Sequence, residues 1–154
     1  DAERELLEAA ALLSNVGLFI SHSGHHKHSY YVIRNSEHLM GFTDREIELI
    51  ALVARYHRKS QPSEDKHAEF SALDDEDRRR VRSMAAVLRV AIGLDRNHDG
   101  AVSEVDVEID DDGPVVLRLV PVDAEVDLVL ERYSADHRSS LLSQQLGREV
   151  VVVS

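Results

Sequence analysis

Four histidines and a lysine crowd the start of the stretch Ser21–Ser36, SHSGHHKHSYYVIRNS: His22, His25, His26, Lys27 and His28. A second cationic block, RYHRK, runs from Arg55 to Lys59 and adds His57 and Arg58. Imidazole, ammonium and guanidinium groups at this density suit the gripping of an oxyanion through charge-assisted hydrogen bonds. The Ser23-Gly24 turn reinforces this, because a turn opening into a helix presents unpaired backbone N–H groups to an anion. The expectation is a phosphate-binding surface made by His25, His26, Lys27 and His28. Arg55, His57, Arg58 and Lys59 extend it if the two blocks meet in the fold.

Other readings compete for the same residues. A histidine near a helix start can simply donate to a carbonyl or sit in solvent, and His57 continues an apolar stripe three residues after Ala54, which points it inward. His22, His26 and His28 include a spacing found among zinc ligands, but no cysteine or obvious acidic ligand accompanies them. Further on, DRNHDGAVSEVD matches the core of a calcium loop, with Asp95, Asn97 and Asp99 at alternate positions, Gly100 at the sharp turn and Asp106 last. An EF-hand loop leads into a helix, whereas alternating Val105, Val107 and Ile109 point to a strand, and the last ligand is Asp where a longer bidentate Glu is usual. Asp, Asn and Gly are also ordinary turn formers.

Charge narrows where an anion could bind. The chain carries a net charge of −11, and residues 93–154 hold 5 Lys/Arg against 14 Asp/Glu, while residues 22–59 hold 6 against 4 and six of the nine histidines. Potentials act locally and fall away within a screening length, so the contacts to a polyanion must come from the middle of the chain. Nucleic acid is not an expected partner of so acidic a chain. Membrane spans are excluded by the shortness of the apolar runs, such as Val150–Val153. Asp1, Glu3, Arg4, Glu5 and Glu8 do not make a signal peptide. The chain has no cysteine, which removes disulfides, thiolate zinc sites and thiol nucleophiles and agrees with a cytoplasmic location.

The positioning elements are helices first and strands last. Leu6, Leu7, Ala10 and Leu13 predict a helix over 3–13, ended by Gly17, and a second helix is expected over His28–Ser36. Thr43-Asp-Arg-Glu46 has capping-box spacing, with Phe42 and Ile47 as a hydrophobic staple, and opens a helix whose stripe is Ile47, Ile50, Ala51 and Ala54. Residues 60–72 read as loop with a helical turn before Ser71. A long helix over 74–93 should bury Val81, Met84, Ala85, Leu88, Ala91 and Ile92. The period then changes to two, predicting a hairpin of 105–109 with 115–120, a third strand through Val126, Leu128 and Leu130, a helix over 135–146 capped by Ser134, and a last strand over 149–153.

Four blocks carry a family resemblance. They are LLxxxG at Leu12–Gly17, the Ser21–Ser36 block, GFTDREIELIALVARYHRK from Gly41 to Lys59, and LRVAIGLDRNH from Leu88 to His98. Together they resemble the C-terminal, HD-like domain of the exopolyphosphatase and guanosine pentaphosphate phosphohydrolase group, the Ppx/GppA phosphatases. The resemblance implies an N-terminal pair of actin-like subdomains that hydrolyse the terminal phosphate, with Mg2+ in the parent enzyme, and a homodimer. No Gly-rich phosphate cradle is present in this chain.

An active HD site would need an upstream histidine, a His-Asp pair and a later Asp to hold metal. By the resemblance the pair falls at Ser14-Asn15 and the later Asp at Ile92, on stripes expected to face inward, and the upstream histidine before residue 1. Hydroxyl, amide and isoleucine do not replace anionic and imidazole ligands, so no catalytic residue and no metal centre are expected in this chain. The combined expectation is an α+β chain: a degenerate HD-like helical domain over 1–94 and a small β-β-β-α-β subdomain over 95–154 packed on it. It would bind polyphosphate without turnover beside the actin-like catalytic domain of the same protein. The alternatives are a metal-dependent phosphohydrolase using the histidine cluster and a purely structural dimerisation module.

Overall fold

The computed structural model describes residues 2–154. The order is α1 (Ala2–Leu13), a 3-10 turn (Val16–Phe19), α2 (His25–Arg34), α3 (Asp44–Arg55), α4 (Ala68–Ser71), α5 (Asp75–Leu94), β1 (Val102–Ile109), β2 (Val115–Pro121), α6 (Val129–His137), α7 (Ser140–Leu146) and β3 (Val150–Val153). The α+β class stands, with helices leading and a three-stranded sheet following. Two compact units result, one ending at Leu88 and one spanning Arg89–Ser154, so α5 contributes to both.

In the first unit the capping box forms as its spacing predicts. The Thr43 N–H donates to Glu46 Oε2 at 2.7 Å while Thr43 Oγ1 accepts from the Glu46 N–H, which satisfies two donors that a helix start leaves open. The helix it starts is buried continuously from Leu49 to Ala54, not along one stripe. A helix apolar all round belongs at a centre, and both α1 and α2 pack on α3. Helix α2 begins at His25, a turn earlier than its apolar pattern starts, because Gly24 takes the left-handed conformation (φ 67°) that turns the chain into it.

Gly17 lies inside the 3-10 turn instead of simply ending α1, and its place there is dictated by contact. A Cβ would come within 2.2 Å of the His25 carbonyl oxygen and 2.3 Å of the Ser29 nitrogen. Ser29, fully buried, stitches the approach together: it accepts from the Gly17 N–H at 2.9 Å and donates to the Ser14 carbonyl at 2.7 Å. Helix α5 buries Val81, Met84, Ala85 and Leu88 as expected, but Ala91 is exposed and Ile92 half-buried. The buried face shifts to Val90 and Gly93 where the helix joins the core of the second unit.

In that second unit β2 is central, antiparallel to β1 and parallel to β3, with Leu117 opposite Val107 on one side and Val152 on the other. Val115, Leu117, Leu119, Val150 and Val152 share one covered face with Val90, Ala101, Leu128 and Ala135. The expected third strand is a helix. Leu128, Glu131, Ser134 and Ala135 are the buried residues there, a period of three to four, while Val129 and Leu130 are exposed. The Asp127 carboxylate accepts from the Val129 N–H at 3.0 Å and turns the chain into α6, so the apolar alternation at 126–130 is coincidental. The helix expected over 135–146 breaks at Arg138-Ser139 into α6 and α7, and Ser134 is a buried α6 residue, not a cap.

Candidate functional site

The two histidine-bearing blocks meet. Arg58 Nη1 lies 3.0 Å from His25 Nδ1, and the His25 and His57 rings stand 5.3 Å apart between centroids. Arg58 has only donors to offer, so His25 Nδ1 accepts and its proton sits on Nε2. The His22 carbonyl, 3.2 Å from the same Nδ1, is then a neighbour without a hydrogen bond. Burial, followed by the nearby Arg58 charge, lowers the pKa of His25 and keeps it neutral.

His57 is buried at 4% exposure and donates from Nδ1 to the Ala54 carbonyl. Burial brings its pKa down to about 4. It points inward, as the stripe through Ala54 predicts, and supports the His25 ring from below. His25 itself is 6% exposed. Among the expected phosphate ligands these two are therefore the floor of the site, and His26, Lys27, His28, Arg58 and Lys59 form its more accessible part.

His26 is half-buried, and its Nδ1 is enclosed with no hydrogen-bond partner among the described residues. Burial, then the charges of Arg58 and Lys27 with a smaller contribution from Arg55, bring its pKa to about 4. That so many cations act on one imidazole marks a positive local potential inside an acidic chain. Lys27 is exposed, and Lys59 follows Arg58 with a left-handed backbone (φ 61°). Gly24 offers no side-chain cap to α2, and the backbone closes its first turn instead: the His25 N–H donates to the His22 carbonyl, and the Lys27 and His28 N–H groups donate to the Gly24 carbonyl. Arg55 is differently placed. Its guanidinium lies over the Tyr30 and Tyr56 rings at 5.5 and 5.8 Å and pairs with Glu69 at 3.2 Å, so its charge is largely committed.

Several neighbours escape sequence reasoning. Tyr30 donates to Glu48 at 2.8 Å, and burial, with that bond, pushes its hydroxyl pKa up. His67, in a stretch read only as loop, lies against Tyr56 at 5.3 Å between ring centroids, and its Nδ1 accepts from the Ser63 N–H at 3.2 Å. No periodicity or spacing marks His67, because its neighbours come from α3 and the loop around it.

At the positions matched to the HD ligands, Ser14 is buried and bonds from Oγ to the Ala11 carbonyl at 2.9 Å. Asn15 is exposed and Ile92 half-buried, so only the first of the three faces fully inward as expected. In the calcium-like loop, Asp95 contacts His98, Asn97 donates to the buried Glu131, Asp99 accepts from the Ala101 N–H, and Asp106 stands on β1 opposite Arg118. The loop leads into a strand. Among the described residues no three His, Asp or Glu side chains are arranged to share a metal ion. None of the described helices is long and apolar enough to cross a membrane.

Compared with known proteins, the sequence matches the family described as Ppx/GppA phosphatase, domain III, over residues 1–146. It is also 43% identical over 53 residues to the guanosine-5'-triphosphate,3'-diphosphate pyrophosphatase of Pseudoalteromonas translucida (strain TAC 125). That match covers 34% of this chain and only 10% of the relative's own length.

Proposed function

The chain belongs to the Ppx/GppA phosphatase family as its domain III, and from that premise we propose that it holds a phosphate chain without hydrolysing it. The parent reaction is the release of terminal phosphate from inorganic polyphosphate or the hydrolysis of the 5′-phosphate of guanosine pentaphosphate. The relative named above acts on a guanosine polyphosphate, and both substrates present several linked phosphates. Chemistry and Mg2+ belong, in this reading, to an actin-like catalytic domain of the same cytoplasmic protein.

One observation carries the reading. The 3.0 Å contact of Arg58 with His25 joins the two cationic blocks into one face, at the first turn of α2 and beside Lys27. Arg58 is oriented by a neutral imidazole, which leaves its remaining N–H groups for phosphate oxygens. Homodimerisation is part of the same proposal, supported by Leu12, Leu18, Phe19 and Ile20, all exposed within a short stretch of chain.

The test is titration of inorganic polyphosphate into the 154-residue chain at several salt concentrations, with Lys27→Ala/Arg58→Ala as comparison. The variant should bind about tenfold more weakly, with a salt slope shallower by about one to two. Equal binding by both proteins would remove this site. Metal-dependent hydrolysis of a phosphodiester by the chain would overturn its non-catalytic role.

A further inference from the structure

We propose that β1 is a docking edge for an extended segment of a partner protein, one whose basic and aliphatic side chains alternate and which joins the sheet as a further strand. The order β1-β2-β3 leaves β1 at one margin, paired with β2 alone. Every second residue of such a strand turns its N–H and C=O away from the sheet, a row of backbone groups that an incoming strand satisfies.

The two faces of β1 define what that strand must carry. Val105, Val107 and Ile109 stand opposite Leu119, Leu117 and Val115 and so continue the covered face of β2. The cover stops short of the last two, for Val107 is 57% and Ile109 65% exposed. On the opposite face Glu104, Asp106 and Glu108 are exposed in a row. Glu108 pairs with Arg118 at 2.8 Å, whereas Glu104 and Asp106 hold no salt bridge among the described residues. A strand that lays aliphatic residues beside Val107 and Ile109 sets its alternate residues beside these acids, where Lys or Arg fits.

The edge is built in advance. Arg148 donates to the Asp110 and Asp111 carbonyls, both at 2.6 Å, and fixes the hairpin end. At the other end an open groove of about 460 Å³ is lined by the consecutive residues Val102, Ser103, Glu104 and Val105, with Ala91 and Leu94 as its far wall. Consecutive residues alternate between the faces of a strand, so this groove follows the edge of β1, and the opposite edge is taken by β2.

A second copy of the chain does not suit this edge. Pairing two β1 strands would set Glu104, Asp106 and Glu108 against the same acids, and like charges opposite one another destabilise a strand pair. Those acids favour a basic strand instead, in a region (93–154) that holds 5 Lys/Arg against 14 Asp/Glu.

The experiment titrates a peptide of alternating lysine and valine, as long as β1, into the 154-residue chain and reads affinity by fluorescence anisotropy and location by backbone amide NMR shifts. Shifts should centre on β1, and affinity should fall with added salt. The same peptide with its backbone amides N-methylated cannot donate to the edge and should bind about tenfold more weakly or worse. Glu104→Lys/Asp106→Lys, a change at exposed side chains, should weaken the lysine peptide about tenfold and admit a glutamate–valine peptide in its place. Equal binding of the methylated and unmethylated peptides would reduce the contact to general charge attraction and overturn strand addition, and this comparison uses the unaltered chain, so it decides the matter whatever the variant does. Absence of binding, or shifts that leave β1 untouched, would overturn it as well. Light scattering in parallel should show the oligomeric state unchanged by peptide; a dimer that dissociates as peptide binds would place a second copy on the edge and remove the proposal.

Discussion

His57 illustrates how a single buried imidazole ties the site to pH. Its pKa and that of His26 stand at about 4 in the folded chain, below the ordinary value of 6.5. Between those values the unfolded chain binds more protons than the folded one. The stability these residues lend is therefore fully present above about pH 6.5 and lost as pH falls toward 4. Thermal melts at successive pH values should show a falling midpoint across this window, and His57→Gln should flatten it. A midpoint that held steady or rose on acidification would contradict the neutral, buried assignment. Asp77 acts in a lower window, since Arg45 and Arg80 hold its carboxyl below the usual value although burial pushes it up. The inward aim of His57 is legible in the sequence because the helical period carries it past Ala54. The bond between Arg58 and His25 is not, because it joins residues far apart in the chain.

At the scale of elements, the 3-10 turn and α2 are locked by the absence of one side chain and the presence of another. Gly17→Ala would push a methyl group into the backbone of α2, where no flexible side chain can yield. Chemical denaturation should show a loss of about 3 kcal/mol or no stable fold, since overpacking against rigid backbone is costly. Ser29→Ala would strand the Gly17 N–H and the Ser14 carbonyl in the core, at a cost of about 2 kcal/mol. A neutral Ser29→Ala would mean that water reaches these groups. Because α2 carries His25, His26 and Lys27, either change should also weaken phosphate binding. The element most misread from sequence is α6, where Asp127 and the sheet core turn Leu128, Glu131 and Ala135 inward at helical spacing and leave Leu130, the last residue of the alternating pattern, exposed.

For the whole molecule, the exposed apolar stretch is the feature that a lone soluble unit explains least. Phe19 is 95% and Leu12 86% exposed, and such groups are normally covered in the working assembly. Light scattering on the chain should report a dimer, and Leu12→Asp/Phe19→Asp should shift it to monomer while leaving the helix content unchanged. A wild-type chain that stays monomeric at high concentration would remove this part of the proposal. Residues close in sequence made the elements and their order readable: the capping box at Thr43, the long α5, the hairpin and the segregation of charge along the chain all arise from local interactions or from composition. Tertiary packing alone decided which cations face outward, that Arg55 is held by Glu69, that His67 packs on Tyr56 and that only Ser14 of the HD-matched positions turns fully inward. Those outcomes depend on burial and on contacts between distant segments, and neither is encoded in the spacing of residues along a single element.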